Sequence, residues 1–400
     1  MAALAVAGPA AAQTAEVIHW WTSGGESAAV KVFADQYTAA GGKWVDTAIA
    51  GGPNARTAAI NRTIGGDPPT AMQFNTGKQF DELVENKLLA DVDAVSKAQD
   101  WAKIVPPAIL AAVTREGKAY AVPINIHGQN WFFWSTAALA KAGAEAPKNW
   151  DELFVAMDKL KAAGLIPLAF GDQKNWERNM FNNVLAGKGG AELFVAIWGK
   201  RDQAAVKSAQ FRAVAETYRR LKNYVDAASP GRNWNDAAAL VIQGKAGFHM
   251  MGDWAKGEFT AAGQTPGKEY GCTVLSDHGT GYVMGGDVFA FPKPKTAEGA
   301  KAQALLARVM MEPATQIAFA QKKGSIPSRV DLDVKALDIC AQKAVAWIAD
   351  KSAQIPANEL LSPPALTGAV EDIISAFWND NSMTVDAFVA KVGAALAQPL

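Results

Sequence analysis

Apolar positions along the chain alternate between short continuous runs and helical spacing, and that alternation predicts the elements. Val17 and Ile18 open a short strand, and residues 28–37 carry Val30, Phe33 and Tyr37 on one helical face. Residues 45–49 predict a second strand and 55–64 a second helix, which stops at the breaker cluster Gly65-Gly66-Asp67-Pro68-Pro69. Residues 71–74 form the next buried strand, so the chain opens as a parallel α/β lobe.

The pattern continues across 131–171. An aromatic strand (WFFWS) and a helix (TAALAKAGA) lead to Pro147. Asn149 then stands as an N-cap with Glu152 three residues on, in the outline of a capping box, and opens an amphipathic helix that Gly164 ends. Residues 166–170 return as a strand. The following region is mostly helical and rich in Ala, Phe and Trp, including Trp176, Trp198 and Trp234. A buried strand over 244–254 ends on Asp253 and Trp254, and another over 285–292 is entered by Asp287 behind two glycines. Helices follow over 295–311 and 314–321, then a helical tail broken at Pro356 and Pro363-Pro364, with a last helix over 385–397. Four hundred residues exceed what one hydrophobic core usually organises, so two lobes are expected, with 120–130 as a strand crossing between them.

Candidate chemistry gathers at His19-Trp20-Trp21-Thr22-Ser23-Gly24-Gly25-Glu26, where a strand gives way to a helix starting near Ser27. Glycines allow close backbone approach, Glu26 stands at the helix N-terminus, and the indoles offer faces for the C–H side of a pyranose. A carboxylate accepts hydrogen bonds from two vicinal hydroxyls. Ordinary core packing accounts for Trp20 and Trp21 equally well. In open α/β sheets ligands sit at the carboxyl ends of strands, which adds Gln73, Asn75 and Lys78 to the same crevice. Asn125 and His127 interrupt the crossover strand with polar side chains and join the candidates.

Composition narrows the possibilities. With 39 basic and 39 acidic side chains and no Lys/Arg block, nucleic acid is not an expected partner. No stretch after the first residues has the ~18 uninterrupted apolar positions that a membrane helix needs. Residues 1–12, small and apolar and closing on Ala10-Ala11-Ala12, read as the tail of a secretory signal cleaved after Ala12, the true signal starting upstream of this Met1. A soluble, exported protein is expected. Cys272 and Cys340 are too few and too far apart to frame a metal site with four histidines; they are either one disulfide or two buried thiols. No metal or cofactor is expected.

Four segments in order resemble one family. These are KAGAEAPKNWDEL, GKAGFHMMGDWAKGEF, GGDVFAFPKPK and FAQKKGSIPSR. They are similar to signatures of the periplasmic sugar-binding proteins of ABC importers, the family-1 extracellular solute-binding proteins, and most closely their glucose-binding branch. The resemblance implies a two-lobed, type II periplasmic-binding fold with a hinge-closing cleft. The first lobe is expected over 15–124 plus 290–327 and the second over 125–289 plus 328–400. It implies contacts with a monosaccharide, glucose or a related aldose, at Trp20, Trp21, Glu26, Lys78, Trp254, Asp287 and Lys323. It further implies delivery by a monomer to permease subunits in the inner membrane. The chain departs from the glucose branch at LLSPPALTGAV, where that branch has a histidine.

On this reading the sugar stacks on Trp20, Trp21 or both, Glu26 and Asp287 accept its hydroxyls, and Lys78 and Lys323 balance their charge. Glu26→Ala is then expected to weaken binding while leaving thermal stability nearly intact. The rival is an exported glycoside hydrolase using Glu26 and Asp287 as its carboxylate pair. Pairing with lysines argues against it, because it keeps both acids ionised. A sensor coupled to a chemoreceptor would share the binding step.

Overall fold

The computed structural model describes residues 13–279 and 281–399, so the expected signal segment lies outside the described residues. A large sheet runs in the order Gly42–Ala48, Gln13–His19, Ala71–Asn75, Asp287–Pro292, Leu89–Ala90, with Ala121–Pro123 also paired to Asp287–Pro292. Its first three strands are parallel, as their helical connections require, while Asp287–Pro292 enters antiparallel from the far end of the chain. A second sheet orders Ile166–Ala169, Ala246–Met251, Trp131–Ser135 and Tyr270–Val274.

Helices cover these sheets for local reasons that the sequence carries. Gly24–Ala39 starts at Ser23, whose hydroxyl accepts from the Glu26 amide at 3.4 Å, and buries Ala29, Val30, Phe33 and Tyr37. It packs on Pro313–Lys323, with Phe33 stacked on Phe319 at 4.4 Å between ring centres. Trp150–Ala162 starts at Asn149, whose side chain accepts from the Glu152 amide at 2.9 Å. The Glu152 carboxylate reaches back to the Lys148 amide at 2.8 Å, one residue earlier than a standard capping box. In the second lobe, helices Lys174–Trp198, Ala209–Leu221, Pro364–Asn379 and Val385–Ala397 bury a cluster that includes Phe181, Phe211, Tyr218, Phe377 and Phe388.

Between the lobes lies a small sheet in the order Ile326–Pro327, Asn125–Gly128, Tyr282–Gly285, Gln354–Pro356. The chain crosses here three times: at Ile124, whose amide donates to Asp287 O at 2.9 Å, at Gly286, and after Lys323. Asp287 itself already pairs with Asn75, so the chain joins the first lobe's sheet earlier than the expected change at 290. Cys272, on the second lobe's sheet, is disulfide-bonded to Cys340 on helix Ile339–Ala349, which settles the alternative left open by spacing.

Candidate functional site

A cleft of about 800 Å³ separates the lobes, lined by residues from all three crossings, by the strand ends of the first lobe's sheet at Asn75 and Asp287, and by helix starts and loops of the second lobe. Its floor is built from the crossing strands. His127 is fixed between two carboxylates: Nδ1 meets Asp253 in a very short contact, and Nε2 lies 2.7 Å from Asp287 Oδ2. Asp253 also accepts from the Gly128 amide at 2.9 Å. Asp287 accepts from Asn125 Nδ2 at 3.0 Å and from Gln73 Nε2 at 3.1 Å, and Gln73 in turn accepts from the Trp20 amide at 3.0 Å.

Burial by itself would lower the His127 pKa, but the charges and hydrogen bonds of Asp253 and Asp287 outweigh it and push it up to about 9. His127 is therefore an imidazolium at neutral pH, donating from both nitrogens. Burial would raise the Asp287 carboxyl; the neighbouring imidazolium, then Lys323 and Asn125, hold it below the usual carboxylate range.

Beside this group Lys323 Nζ donates to Glu26 Oε1 at 2.7 Å, and both side chains are buried. The ammonium lies 5.5 Å from the Trp21 ring and 6.0 Å from the Trp254 ring, between the two indoles. Glu26 reaches this place because two helix starts touch. The Gly25 amide donates to Glu258 Oε1 at 2.8 Å, and a Cβ at Gly25 would stand 2.4 Å from the Gly257 carbonyl carbon. Only glycine permits that approach.

The structure brings together Trp20, Glu26, Asn75, His127, Trp254, Asp287 and Lys323 on the cleft surface, with Gln73 and Asn125 buried just behind it as positioning residues. Trp21 is 1% exposed and packs edge-on to Phe289 at 5.7 Å and against Phe319 at 5.3 Å. It also borders the cleft, but it packs mainly within the first lobe's core. Lys78 is not in the cleft. Gly77, at φ 122°, turns the chain into a single 3-10 turn, and Lys78 is exposed with Nζ 3.3 Å from the Leu361 carbonyl of the other lobe. The charge balance expected of Lys78 is supplied to Asp287 by His127.

Several cleft residues were missed from sequence. Trp176 and Trp234 continue from Trp254 along the second lobe's wall. Arg178 donates to Glu371 at 2.5 Å and to Asn358 at 3.0 Å, and Glu359 lies 3.4 Å away. Ser362, Pro364, Thr367 and Gly368 line the cleft from the stretch LLSPPALTGAV, and Glu359 lines it from the residue just before. An aromatic pair at helix starts and an Arg with glutamates more than 170 residues away leave no local pattern to find.

Two α/β lobes, three crossing strands and a polar, indole-walled cleft between them define a cleft-binding receptor with the two-lobed periplasmic-binding-protein fold. The chain belongs to the bacterial extracellular solute-binding protein family, whose profile matches residues 32–342. A "probable sugar-binding periplasmic protein" of Brucella melitensis is 34% identical over 382 residues, covering 94% of this chain and 90% of its own. A solved chitin oligosaccharide binding protein superposes with a TM-score of 0.80 at 16% identity, over 96% of this chain and 98% of its own. The bacterial solute receptor AcbH, described as having an exclusive preference for β-D-galactopyranose, gives 0.79 at 17% identity, over 96% and 97%. At such identities these two structures establish the fold alone.

Proposed function

We propose that this protein is the periplasmic sugar-capturing component of an ABC importer, seating an aldose ring, glucose or a related sugar, on the cleft floor and passing it to permease subunits. One observation carries the reading. The floor residues are held in place by one another yet keep hydrogen-bonding capacity: among the described residues Glu26 Oε2 has no partner, Asp287 Oδ1 has one, and Lys323 uses one of its three N–H groups. All three groups face the cleft beside Trp254 and Trp20. Donors, acceptors and indole faces within reach of one small ring match a neutral polyol, and the Glu26–Lys323 pair brings no net charge.

Ligand touching both lobes stabilises the closed arrangement, because Glu26 lies on the first lobe and Trp254 on the second. The relatives' names, sugar-binding and periplasmic, agree with this assignment. Against a hydrolase, Asp287 is held below the carboxylate range, the opposite of what a general acid needs. Calorimetry against pentoses, hexoses, polyols and disaccharides tests the reading. Saturable binding of a carbohydrate, weakened in Glu26→Gln and Asp287→Asn, is expected. Release of product from an aryl glycoside would overturn it in favour of the enzyme, and a panel with no binding would overturn it outright.

A further inference from the structure

The floor accounts for only part of the cleft. Grooves of roughly 300–1,000 Å³ enclose ligands of drug size, so about 800 Å³ is generous for one hexose. The unused part has a definite chemistry. Trp254, whose ring meets His127 at 5.1 Å, is followed by Trp176 at 6.0 Å and then Trp234 at 6.2 Å from Trp176, all three lining the cleft. The three indoles thus form a contiguous row on the second lobe that meets the floor at Trp254. Asn175 and Asn235 flank it, partly buried, and neither side chain makes a hydrogen bond among the described residues. Helix Lys174–Trp198 supplies Trp176 and helix Trp234–Ile242 supplies Trp234, each within its first turn, so the row stands on two rigid elements.

We infer that this indole row with its two free amides is a second ring position, and that the ligand is a neutral disaccharide or longer saccharide whose terminal ring occupies the floor. The inference rests on the sugar reading proposed above and extends it to substrate class. Apolar faces next to uncharged donor–acceptor groups suit the C–H face and hydroxyls of another pyranose. Among the described residues the one cation on this wall, Arg178, is matched by two carboxylates, Glu371 and Glu359, so the wall carries no excess positive charge to favour a sugar acid or phosphate; Arg56, on the opposite lobe, is the cation the uronate probe tests.

Calorimetry on the whole protein tests it, with component hexoses, α- and β-linked di- and trisaccharides, and a uronate-containing disaccharide as probes. The wild-type protein should bind one neutral disaccharide or trisaccharide at least tenfold more tightly than its component hexose. Trp176→Ala should remove about threefold to tenfold of that advantage while leaving hexose affinity within about twofold. Asn175→Ala with Asn235→Ala, which breaks no hydrogen bond within the described residues, should act in the same direction and serves where the tryptophan variant fails to fold. The inference is overturned if the hexose binds as tightly as every longer saccharide, if the variants weaken hexose and disaccharide equally, or if the uronate binds best. In each of those cases the sugar reading survives; an absence of binding by any carbohydrate would remove both.

Discussion

The floor of the cleft and the interior of the second lobe's sheet each bury one histidine, and the two rings end in opposite protonation states. His249, on Ala246–Met251, is fully enclosed, with Nδ1 2.9 Å from the Ala169 carbonyl, and burial lowers its pKa to about 4. His127 is enclosed almost as completely, and Asp253 and Asp287 overcome the same burial to raise it to about 9. The desolvation is common to both; the partners differ. A neutral ring against one carbonyl is a packing element, whereas an imidazolium between two carboxylates requires those acids and orients them. Burial of a polar residue therefore does not separate site from core, but a charge held by other charges with capacity left over does.

The sharpest way to break this comparison is to take away a floor carboxylate. Asp287→Ala leaves Asn125 and Gln73 without their acceptor and His127 with a single counter-charge. Removing one partner from a buried ionic group costs roughly 3–5 kcal/mol. Ligand affinity should fall by about tenfold to a hundredfold, since a charge-assisted hydrogen bond is worth roughly 1.5–3 kcal/mol. Chemical denaturation and calorimetry measure the two losses; a variant as stable as the parent would show that His127 is not held as described.

Glu26 sharpens the point and corrects an expectation from sequence. Lys323 is 2% exposed and bonded to Glu26, so Glu26→Ala strands an ammonium in the floor. The variant should lose about 3 kcal/mol of stability as well as affinity, and Glu26→Gln, which keeps an acceptor, should lose less of both. Unchanged melting of Glu26→Ala would place Lys323 in solvent.

The two histidines also predict opposite limbs in a pH profile. His127 has a raised folded pKa, so its contribution is complete below about 6.5 and is lost as pH rises through about 9. His249 has a depressed one, so its contribution is present above about 6.5 and lost as pH falls through about 4. Each limb is worth about 3 kcal/mol, on 1.36 kcal/mol per pKa unit. His127→Gln should flatten the alkaline limb and His249→Phe the acid one. Loss of the alkaline limb in His249→Phe would reverse the assignment.

Much of the scaffold was legible because its signals are local. Alternating apolar periods, the caps at Ser23 and Asn149, and the proline breaks mark elements within a few residues, and the final helix occupies 385–397 as expected. The helix start that carries Glu26 and the strand start that carries Asp287 were readable by the same logic. The partners were not: Lys323 meets Glu26 from 297 positions away and Asp253 meets His127 from 126, and nothing in composition encodes those distances. Trp21 and Trp20 show the limit of a pattern. Adjacent strand-end residues point to opposite sides, so one indole enters the core and its neighbour the cleft.

Lys78 gives the smallest effect and marks where the floor stops. It follows a strand whose carboxyl end does face the cleft, but Gly77 takes a conformation open to glycine, and a Cβ there would lie 2.5 Å from the Glu359 carbonyl oxygen. The turn that results carries Lys78 to the protein surface, where one exposed hydrogen bond to Leu361 spans the lobes. Exposed polar contacts of this kind contribute at most about 1 kcal/mol, and substitutions there usually stay within ±0.5 kcal/mol. Lys78→Ala should therefore leave ligand affinity within about twofold and melting nearly unchanged. A tenfold loss would mean that Lys78 swings into the cleft when ligand arrives, extending the charged floor beyond the group around Asp287.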